Sequence, residues 1–244
     1  MSKPTIFHDP TSEPSRAVHW LCLEADLPVD IRLTWLTRGQ HVSPEFMQVN
    51  PFHQVPALQH DDFCLSEATA MMNYLTDING CSDNWFGGDI KTKAQINKHL
   101  SWYHTNLRRL LTLDYFLPVL LMPVYLGFAK PSDDDIAQRK EAMDGMFKQL
   151  DSLLVEGPFL CGDQITAADI LYASEIVSLK IDPDYASYIA SYPHMARWLE
   201  ILQSRPAYQD SHKAWDHVYP MIVAAGGEQQ GSPDWVAAAC EQVI

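Results

Sequence analysis

The stretch NPFHQVPAL (residues 50–58) and the nearby stretch LSEATA (residues 65–70) decide how the first third of the chain folds. Two short apolar runs, Val55–Gln59 and Phe63–Ser66, are separated by three polar residues, and this pattern predicts a β-hairpin. From Glu67 to Thr76 the apolar residues recur at helical spacing, so a helix should follow the hairpin. The two stretches together predict the element order β-β-α.

A strand, a helix and a second strand are predicted upstream of the hairpin. Residues 4–9 are a short strand candidate, and a helix should begin near Pro14, because the fixed backbone of proline suits a first helical turn. Val29–Trp35 alternates as a strand does. A strand–helix–strand unit implies a right-handed crossover with parallel pairing. We therefore expect a small α/β domain over residues 1–80.

The chain changes character after residue 80. Residues 81–91 are polar and rich in Gly, Asp and Asn, which is typical of a linker. Helix-periodic stretches then run through residues 91–126, 132–156, 167–180 and 193–204. Thr166 and Asp169 have the spacing of a capping box, with Asp in place of the usual Glu, and we interpret Asp169 as structural. An all-helical domain is expected over residues 92–225.

Composition and charge exclude several classes of partner. The 244 residues include 17 Lys and Arg against 31 Asp and Glu, which gives a net charge of −14. Nucleic acids and anionic membranes both attract basic surfaces, so neither is an expected partner. The N-terminus lacks the apolar segment of a signal peptide, and the most apolar stretch, Tyr115–Phe128, is too short to span a bilayer. Five widely spaced cysteines without a CxxC pair argue against a zinc site or a redox dithiol and indicate a reducing, cytoplasmic setting.

Several segments together resemble the glutathione transferases, and in particular their theta class. In that family a Val-Pro-Ala-Leu strand precedes a helix that begins Leu-x-Glu, as it does in residues 50–75 here. Further resembling segments, in the same order as in the family, are TSEPSRAV (11–18), RGQH (38–41), WYHTNLRR (102–109) and FLCGDQITAAD (159–169). The resemblance implies a thioredoxin-like α/β N-terminal domain followed by an all-α C-terminal domain. It also implies glutathione as co-substrate, no metal, and a homodimer.

Ser12 is the candidate catalytic residue, because it matches the family's serine between the first strand and the helix near Pro14. A hydroxyl at this place can donate a hydrogen bond to a sulfur, and the helix N-terminus adds positive potential, so both favour a thiolate. Lowering a thiol pKa of ~8.5 by about two units corresponds to ~2.7 kcal/mol and makes the thiolate the main species at neutral pH. The alternative is a helix-capping serine. Ser15, and after it Thr11, are the next candidates for the catalytic role.

The resemblance also implies how glutathione is held. The backbone of Val55, followed by Pro56 in a cis peptide bond, would pair with glutathione as another strand would. Glu67 and Ala68 open a helix whose free N–H groups favour an anion, which in the family is the γ-glutamyl carboxylate, and Glu67 meets the α-ammonium group. Ala68 stands where the family usually has serine, so one hydroxyl hydrogen bond of ~0.5–1.5 kcal/mol is lost, and Thr69 is the alternative donor.

Four more side chains belong to the implied site. His41 matches the family's histidine for the glycine end of glutathione. Gln54 stands where many theta-class proteins have lysine, and it can still donate to a carboxylate with less charge assistance. Arg16 and Arg108 either add positive potential near the sulfur or form ion pairs, and the sequence leaves both readings open.

The expected reaction is conjugation of the glutathione thiolate to a small hydrophobic electrophile. Tyr115, Phe116 and Met122 are either walls of the electrophile pocket or core residues. The alternatives are a glutathione-dependent dehalogenase, an ether-cleaving enzyme or an isomerase on the same fold, and a non-catalytic binding protein. The departures at the glutathione site motivate these alternatives, whereas the intact serine favours an enzyme.

The C-terminal tail, residues 226–244, is the last distinct segment. Gly226–Gly231 is predicted to be a flexible linker, with Ser232 capping a helix that has Pro233 at its first position. Theta-class proteins often carry a C-terminal helix over the active site, so the resemblance implies a lid. A dimer contact and a disordered tail are the alternatives.

Overall fold

The computed structural model describes residues 2–224 and 234–244. The N-terminal half contains four strands: β1 (Thr5–His8), β2 (Asp30–Leu33), β3 (Ala57–His60) and β4 (Phe63–Ser66). They form one sheet in the order β2-β1-β3-β4, in which β1 and β2 are parallel and the other two pairs are antiparallel. The predicted crossover unit and the predicted hairpin are therefore both confirmed.

Three helices cover the two faces of this sheet: α1 (Glu13–Glu24), α2 (Pro44–Val49) and α3 (Ala68–Ile78). Neighbouring residues of β1 point to opposite faces, as the pleat requires. Ile6 joins the core beneath α1 and α3, whereas Phe7 packs edge-on against Phe46 of α2. This alternation fixes the register of the strand, because a shift by one residue would reverse both contacts.

The segment predicted as a linker, residues 81–91, is partly helical. It contains α4 (Ser82–Phe86), and the side chains of Trp85 and Phe86 are buried in the core. The Gly, Asp and Asn residues of this segment are typical of an exposed connection. Burial of a large apolar side chain, worth about 1.5–3 kcal/mol each, outweighs that local preference.

Helices make up the rest of the chain. In order they are α5 (Ile90–Trp102), a π-helical segment (Tyr103–Leu121), α6 (Met122–Leu126), α7 (Asp133–Leu153), α8 (Ala167–Ile176), α9 (Tyr185–Ala190), α10 (Pro193–Gln203), α11 (Pro206–Ala224) and α12 (Asp234–Cys240). Short 3₁₀ turns occupy Leu36–Arg38, Gln40–Val42 and Val177–Ile181. Among the helices of the described residues, none is both long enough and apolar enough to cross a bilayer.

Helix α8 lies at the centre of the helical half, and every one of its residues is buried. The predicted capping box at its N-terminus is confirmed: the carboxylate of Asp169 accepts from the Thr166 amide at 2.9 Å and from the Thr166 hydroxyl at 2.8 Å. The same carboxylate accepts from the Leu160 amide and from the Trp198 indole. Asp169 therefore holds three separate segments together.

Helix α1 joins the two halves through its contacts with α8 and α11. Arg16 lies in this interface and is fully buried. Its guanidinium donates to the carbonyl oxygens of Pro10, Thr11 and Ser174 and to the hydroxyl of Ser178. It also lies 4.8 Å from the centre of the Trp215 ring. Arg16 thus bridges the halves by binding backbone oxygens.

The C-terminal tail is described only in part, because Gly226–Gly231, Ser232 and Pro233 lie outside the described residues. The part that is described includes α12, which packs against α11 and against the turn Leu36–Arg38. Its buried residues are Val236, Ala237, Ala239 and Cys240.

Two ion pairs join the tail to the sheet half. The guanidinium of Arg38 contacts the carboxylates of Asp234 and Glu241. The tail is therefore docked behind the loop that follows β2.

Candidate active site

A cleft of about 630 Å³ opens between the sheet half and the helical half. One wall comes from the loops after β1 and β2, from the turn before β3 and from the start of α3, and the other from the π-helical segment and α6. The cleft brings together most of the predicted site residues: Ser12, His41, Gln54, Val55, Pro56, Glu67, Ala68 and Arg108. Ser15 and Arg16 are not among its lining residues.

Ser12 occupies the N-cap position of α1 but does not use its side chain to cap the helix. Its hydroxyl faces the Val55 carbonyl oxygen across the cleft floor at 3.5 Å, which is long for a hydrogen bond from a hydroxyl. The residue is buried and its backbone is extended. The hydroxyl is therefore available to a group that enters the cleft, next to the positive end of a twelve-residue helix.

The loop that carries Ser12 is fixed by the buried carboxylate of Asp9. This carboxylate accepts from the amide and hydroxyl of Thr11 and from the amide of Leu36. Burial raises the pKa of Asp9, and the hydrogen bonds from Leu36 and Thr11 oppose that rise. Asp9 thereby positions the loops after β1 and after β2 relative to each other.

The turn before β3 and the start of α3 form the adjoining wall. The Val55–Pro56 peptide bond is cis, as the family resemblance implied. The Asn50 side-chain amide donates to the Gln54 carbonyl oxygen at 2.7 Å and shapes the turn. Of the residues other than glycine that the structure describes, four have positive φ, and two of these, His53 and Glu67, line the cleft. Such backbone strain often marks ligand sites.

Three polar side-chain atoms in the cleft wall are buried and have no hydrogen-bond partner among the described residues: Thr37 Oγ1, His41 Nδ1 and Thr69 Oγ1. Buried polar groups are nearly always paired in native proteins, so an orphaned set in one cleft indicates bonds to a ligand. Burial, and secondarily His53, lower the pKa of His41, while Asp9 raises it. A lowered pKa favours the neutral imidazole.

A charged cluster lies at the end of the cleft nearest the helical half. Arg108 donates to both carboxylate oxygens of Glu175, at 2.9 and 3.0 Å. The hydroxyls of Tyr103 and Thr112 also donate to Glu175. The carboxylate of Glu13 lies 3.9 Å from Arg108. Arg108 is therefore in an ion pair, which was one of the two readings that the sequence left open.

Arg16 and Ser15 lie outside the cleft. The Arg16 guanidinium is committed to the interface described above, and the buried Ser15 hydroxyl has no hydrogen-bond partner among the described residues. The pKa of Arg16 is lowered by burial, a change that nearby Glu13 opposes. The structure therefore does not indicate a direct contact between Arg16 and a bound thiolate.

One end of the cleft is mostly aliphatic. Leu113, Leu117, Leu121, Met122 and Leu126 line it. Tyr115 and Phe116 lie instead in the core, each 1% exposed, so only Met122 of the three predicted wall residues is a wall. Residues 234–244 are not among the residues that line the described cleft, and α12 packs against α11 and the turn Leu36–Arg38.

Comparison with known proteins identifies the family. A family model for the glutathione S-transferase N-terminal domain matches residues 2–77, and one for the glutathione S-transferase C-terminal domain matches residues 121–210. Human glutathione S-transferase theta-1 is 35% identical over 173 residues, which cover 70% of this chain and 71% of that protein. The chain belongs to the glutathione S-transferase family.

Solved structures agree with this assignment. Human glutathione S-transferase T1-1 in its apo form is 28% identical, covers 97% of this chain and 99% of its own, and superposes with a TM-score of 0.80. A human theta-class glutathione transferase in complex with the glutathione conjugate of 1-menaphthyl sulfate covers both chains completely, with a TM-score of 0.82 and 23% identity, and shows the same fold. The thioredoxin-like and all-α architecture of this glutathione transferase is confirmed.

The cleft-lining residues that sequence reasoning missed include three polar ones near assigned site residues, Glu13, Thr37 and His53. His53 and Glu13 lie inside motifs that were recognised, and each is directly adjacent to a residue that was assigned to the site. That adjacency was a usable signal. Thr37 carries no signal in the sequence, because only the turn after β2 brings it to the cleft.

Proposed function

We propose that this glutathione transferase conjugates the thiolate of glutathione to small hydrophobic electrophiles, and that Ser12 stabilises that thiolate. The observation that carries the proposal is the Ser12 hydroxyl, which occupies an N-cap position yet makes no cap bond and has only a long contact of 3.5 Å with the Val55 carbonyl oxygen in the cleft. A hydroxyl donor and the positive end of α1 both favour a sulfur anion. The reaction then needs only proximity and an ionised nucleophile.

The cleft supports one orientation of glutathione. The γ-glutamyl carboxylate binds the free backbone N–H groups at the start of α3, and the Thr69 hydroxyl donates where the family's serine is replaced by Ala68. Glu67 meets the ammonium group, and the backbone of Val55 pairs with the cysteinyl residue as a strand would. His41 and Gln54 hold the glycine carboxylate.

The electrophile occupies the aliphatic end of the cleft. Leucine and methionine side chains there contact an apolar group without a fixed polar geometry, which suits a small hydrophobic molecule. The thiolate attacks a carbon atom by substitution or addition. Among the described residues there is no group of three or more His, Cys, Asp or Glu placed to hold a metal ion.

The test combines calorimetry with titration of the bound thiol. Glutathione should bind the wild type, and the ultraviolet absorbance of its thiolate should titrate about two pH units below that of free glutathione. Ser12→Ala should return the thiol pKa towards its free value and lower kcat/KM about 100-fold, which is the rate equivalent of ~2.7 kcal/mol. Ser15→Ala is the matched control on the same helix and should behave as the wild type.

Three other results of these tests would each contradict part of the proposed function. No heat of binding with glutathione would favour a non-catalytic protein on the same fold. Binding with the same thiol pKa in the wild type and in Ser12→Ala would reject the role of Ser12. Activity with halides or ethers but not with conjugation substrates would favour a dehalogenase or an ether-cleaving enzyme.

We also propose that the protein is a cytoplasmic homodimer that acts in detoxification. All five cysteines are free, which fits a reducing compartment. Phe52 is 70% exposed on the turn before β3 and offers an apolar contact to a second copy. Light scattering after gel filtration should give twice the monomer mass, and Phe52→Ser should shift the protein towards the monomer.

A further inference from the structure

Glu13 is a carboxylate in the cleft to which the proposed mechanism gives no task. It directly follows Ser12, lines the same cleft, and has a side chain that is only 8% exposed. The 3.9 Å between its Oε2 atom and Nη1 of Arg108 is beyond hydrogen-bond distance. A buried carboxylate is costly unless it is closely paired, and taking up a proton removes that cost.

Three charged side chains, Arg16, Arg108 and Glu175, surround Glu13. Arg16 lies one helical turn after Glu13 on α1, and Arg108 lies between Glu13 and Glu175. With both carboxylates ionised, the two arginines and two glutamates have no net charge. Arg108 and two hydroxyls donate hydrogen bonds to Glu175, whereas Arg108 lies beyond hydrogen-bond distance of Glu13.

Glu13 is therefore the member of this cluster that gains a proton most easily. Burial raises the pKa of Glu13, and the charge of Glu175 raises it further, against the opposing effects of Arg108 and Arg16. A thiolate formed beside Glu13 adds one more negative charge nearby and raises the pKa of Glu13 again.

We propose that Glu13 receives the proton that the thiol of glutathione loses in this cleft, an inference that rests on the proposed function. The S–H bond breaks with its electron pair left on sulfur, and the proton bonds to a carboxylate oxygen of Glu13. The negative charge thus moves from Glu13 to the sulfur. Loss of the Glu13 charge leaves the cluster with one net positive charge facing the new thiolate, which stabilises it.

The experiment counts the protons released when glutathione binds. Enzyme and glutathione are mixed with a pH indicator in weakly buffered solution near neutral pH, where a free thiol is only a few per cent ionised. The thiolate formed is measured by its ultraviolet absorbance in the same mixture. The wild type should release clearly less than one proton per thiolate, and Glu13→Gln should release about one, since each ionising thiol gives up one proton.

Controls separate this inference from the role of Ser12. Glu45→Gln changes an exposed glutamate on α2 and should release protons as the wild type does. Ser12→Ala should form little thiolate, and if it forms as much as the wild type the proposed function fails, whatever Glu13 does. Equal proton release per thiolate in the wild type and in Glu13→Gln would overturn the role of Glu13 and leave that of Ser12 intact.

A second measurement needs no variant. Infrared difference spectra of the wild type should show a new protonated-carboxyl band when glutathione binds. S-methylglutathione, which has no thiol proton, should give no such band. Absence of the band with glutathione, while thiolate absorbance appears, would also overturn the proposal.

Discussion

Helices α1 and α8 both begin with a hydroxyl residue at the N-cap, and the two hydroxyls are used differently. At α8, Thr166 and Asp169 bind each other, and Asp169 also binds Leu160 and Trp198. At α1, the Ser12 hydroxyl makes no cap bond and faces the cleft. The same sequence signal thus marks a closed cap that stabilises the fold and an open one that is free to bind a ligand. The difference lies in whether the hydrogen bonds are satisfied within the helix start.

The largest effect is expected from breaking the closed cap. Asp169→Ala leaves four buried donors without their acceptor, and the free energy of unfolding should fall by about 3–5 kcal/mol. Urea unfolding measures this loss. The kcat/KM of the molecules that remain folded should stay near that of the wild type, because Asp169 lies outside the cleft. A normal unfolding midpoint would contradict the structural role.

Acid should lower the free energy of unfolding through buried histidines near α1, the helix with the open cap. His19 lies on α1, and its ring packs against that of His8 of β1. Burial, and secondarily the positive charge of Lys213, lower the pKa of His19 to about 4. The pKa in the unfolded chain is about 6.5, so the unfolded state binds the proton first. The stability contribution of neutral His19 is therefore complete above pH 6.5 and is lost as the pH falls towards 4, by up to about 3 kcal/mol.

Urea unfolding of the wild type and of His19→Gln between pH 7 and pH 4.5 isolates this contribution. The wild type should lose stability more steeply than the variant over this interval. His8 and His212 also have lowered pKa values, chiefly through burial, so the variant should keep part of the slope. Parallel curves for the two proteins would contradict the assignment.

The smallest expected effect comes from removing each cap hydroxyl in turn, which compares the closed and the open cap directly. Thr166→Ala removes a cap that is used and should cost about 0.5–2 kcal/mol of unfolding free energy. Ser12→Ala removes a hydroxyl that makes no cap bond, so its stability should stay within about 0.5 kcal/mol of the wild type. Ser132→Ala, at the cap of α7, is the reference for an exposed cap in use. Equal losses in the Ser12 and Thr166 variants would show that both hydroxyls are structural.

Much of the fold was predictable because local patterns and the family motifs agree. The hairpin, the crossover around α1 and the cap of α8 all follow from strand alternation, proline placement or cap spacing. The helix α4 was not predictable in this way, because Trp85 and Phe86 are buried by contacts with distant parts of the chain. Such long-range contacts cannot be inferred from the local amino-acid composition.

The lining of the cleft was predictable where a single motif carries it, as at Ser12 and Val55. Arg16 shows the limit of that reasoning. Its place one helical turn after Ser12 suggested a role near the sulfur, but the carbonyl oxygens that it binds include one 158 residues away in the sequence. Only the packing of α1 against α8 decides where the guanidinium goes. Every residue has a backbone carbonyl oxygen, so the residue types do not show which of these oxygens an arginine binds.

The docking of α12 behind the turn Leu36–Arg38 has a consequence for how the molecule is made. During synthesis the N-terminal half leaves the ribosome first and is the first part able to fold. Yet the rear of that turn is covered by residues 234–244, which are translated after the whole of both halves. Thr37, which follows Leu36 in the same turn, lines the cleft. One wall of the cleft is therefore begun with the sheet half and completed only after the helical half has been translated.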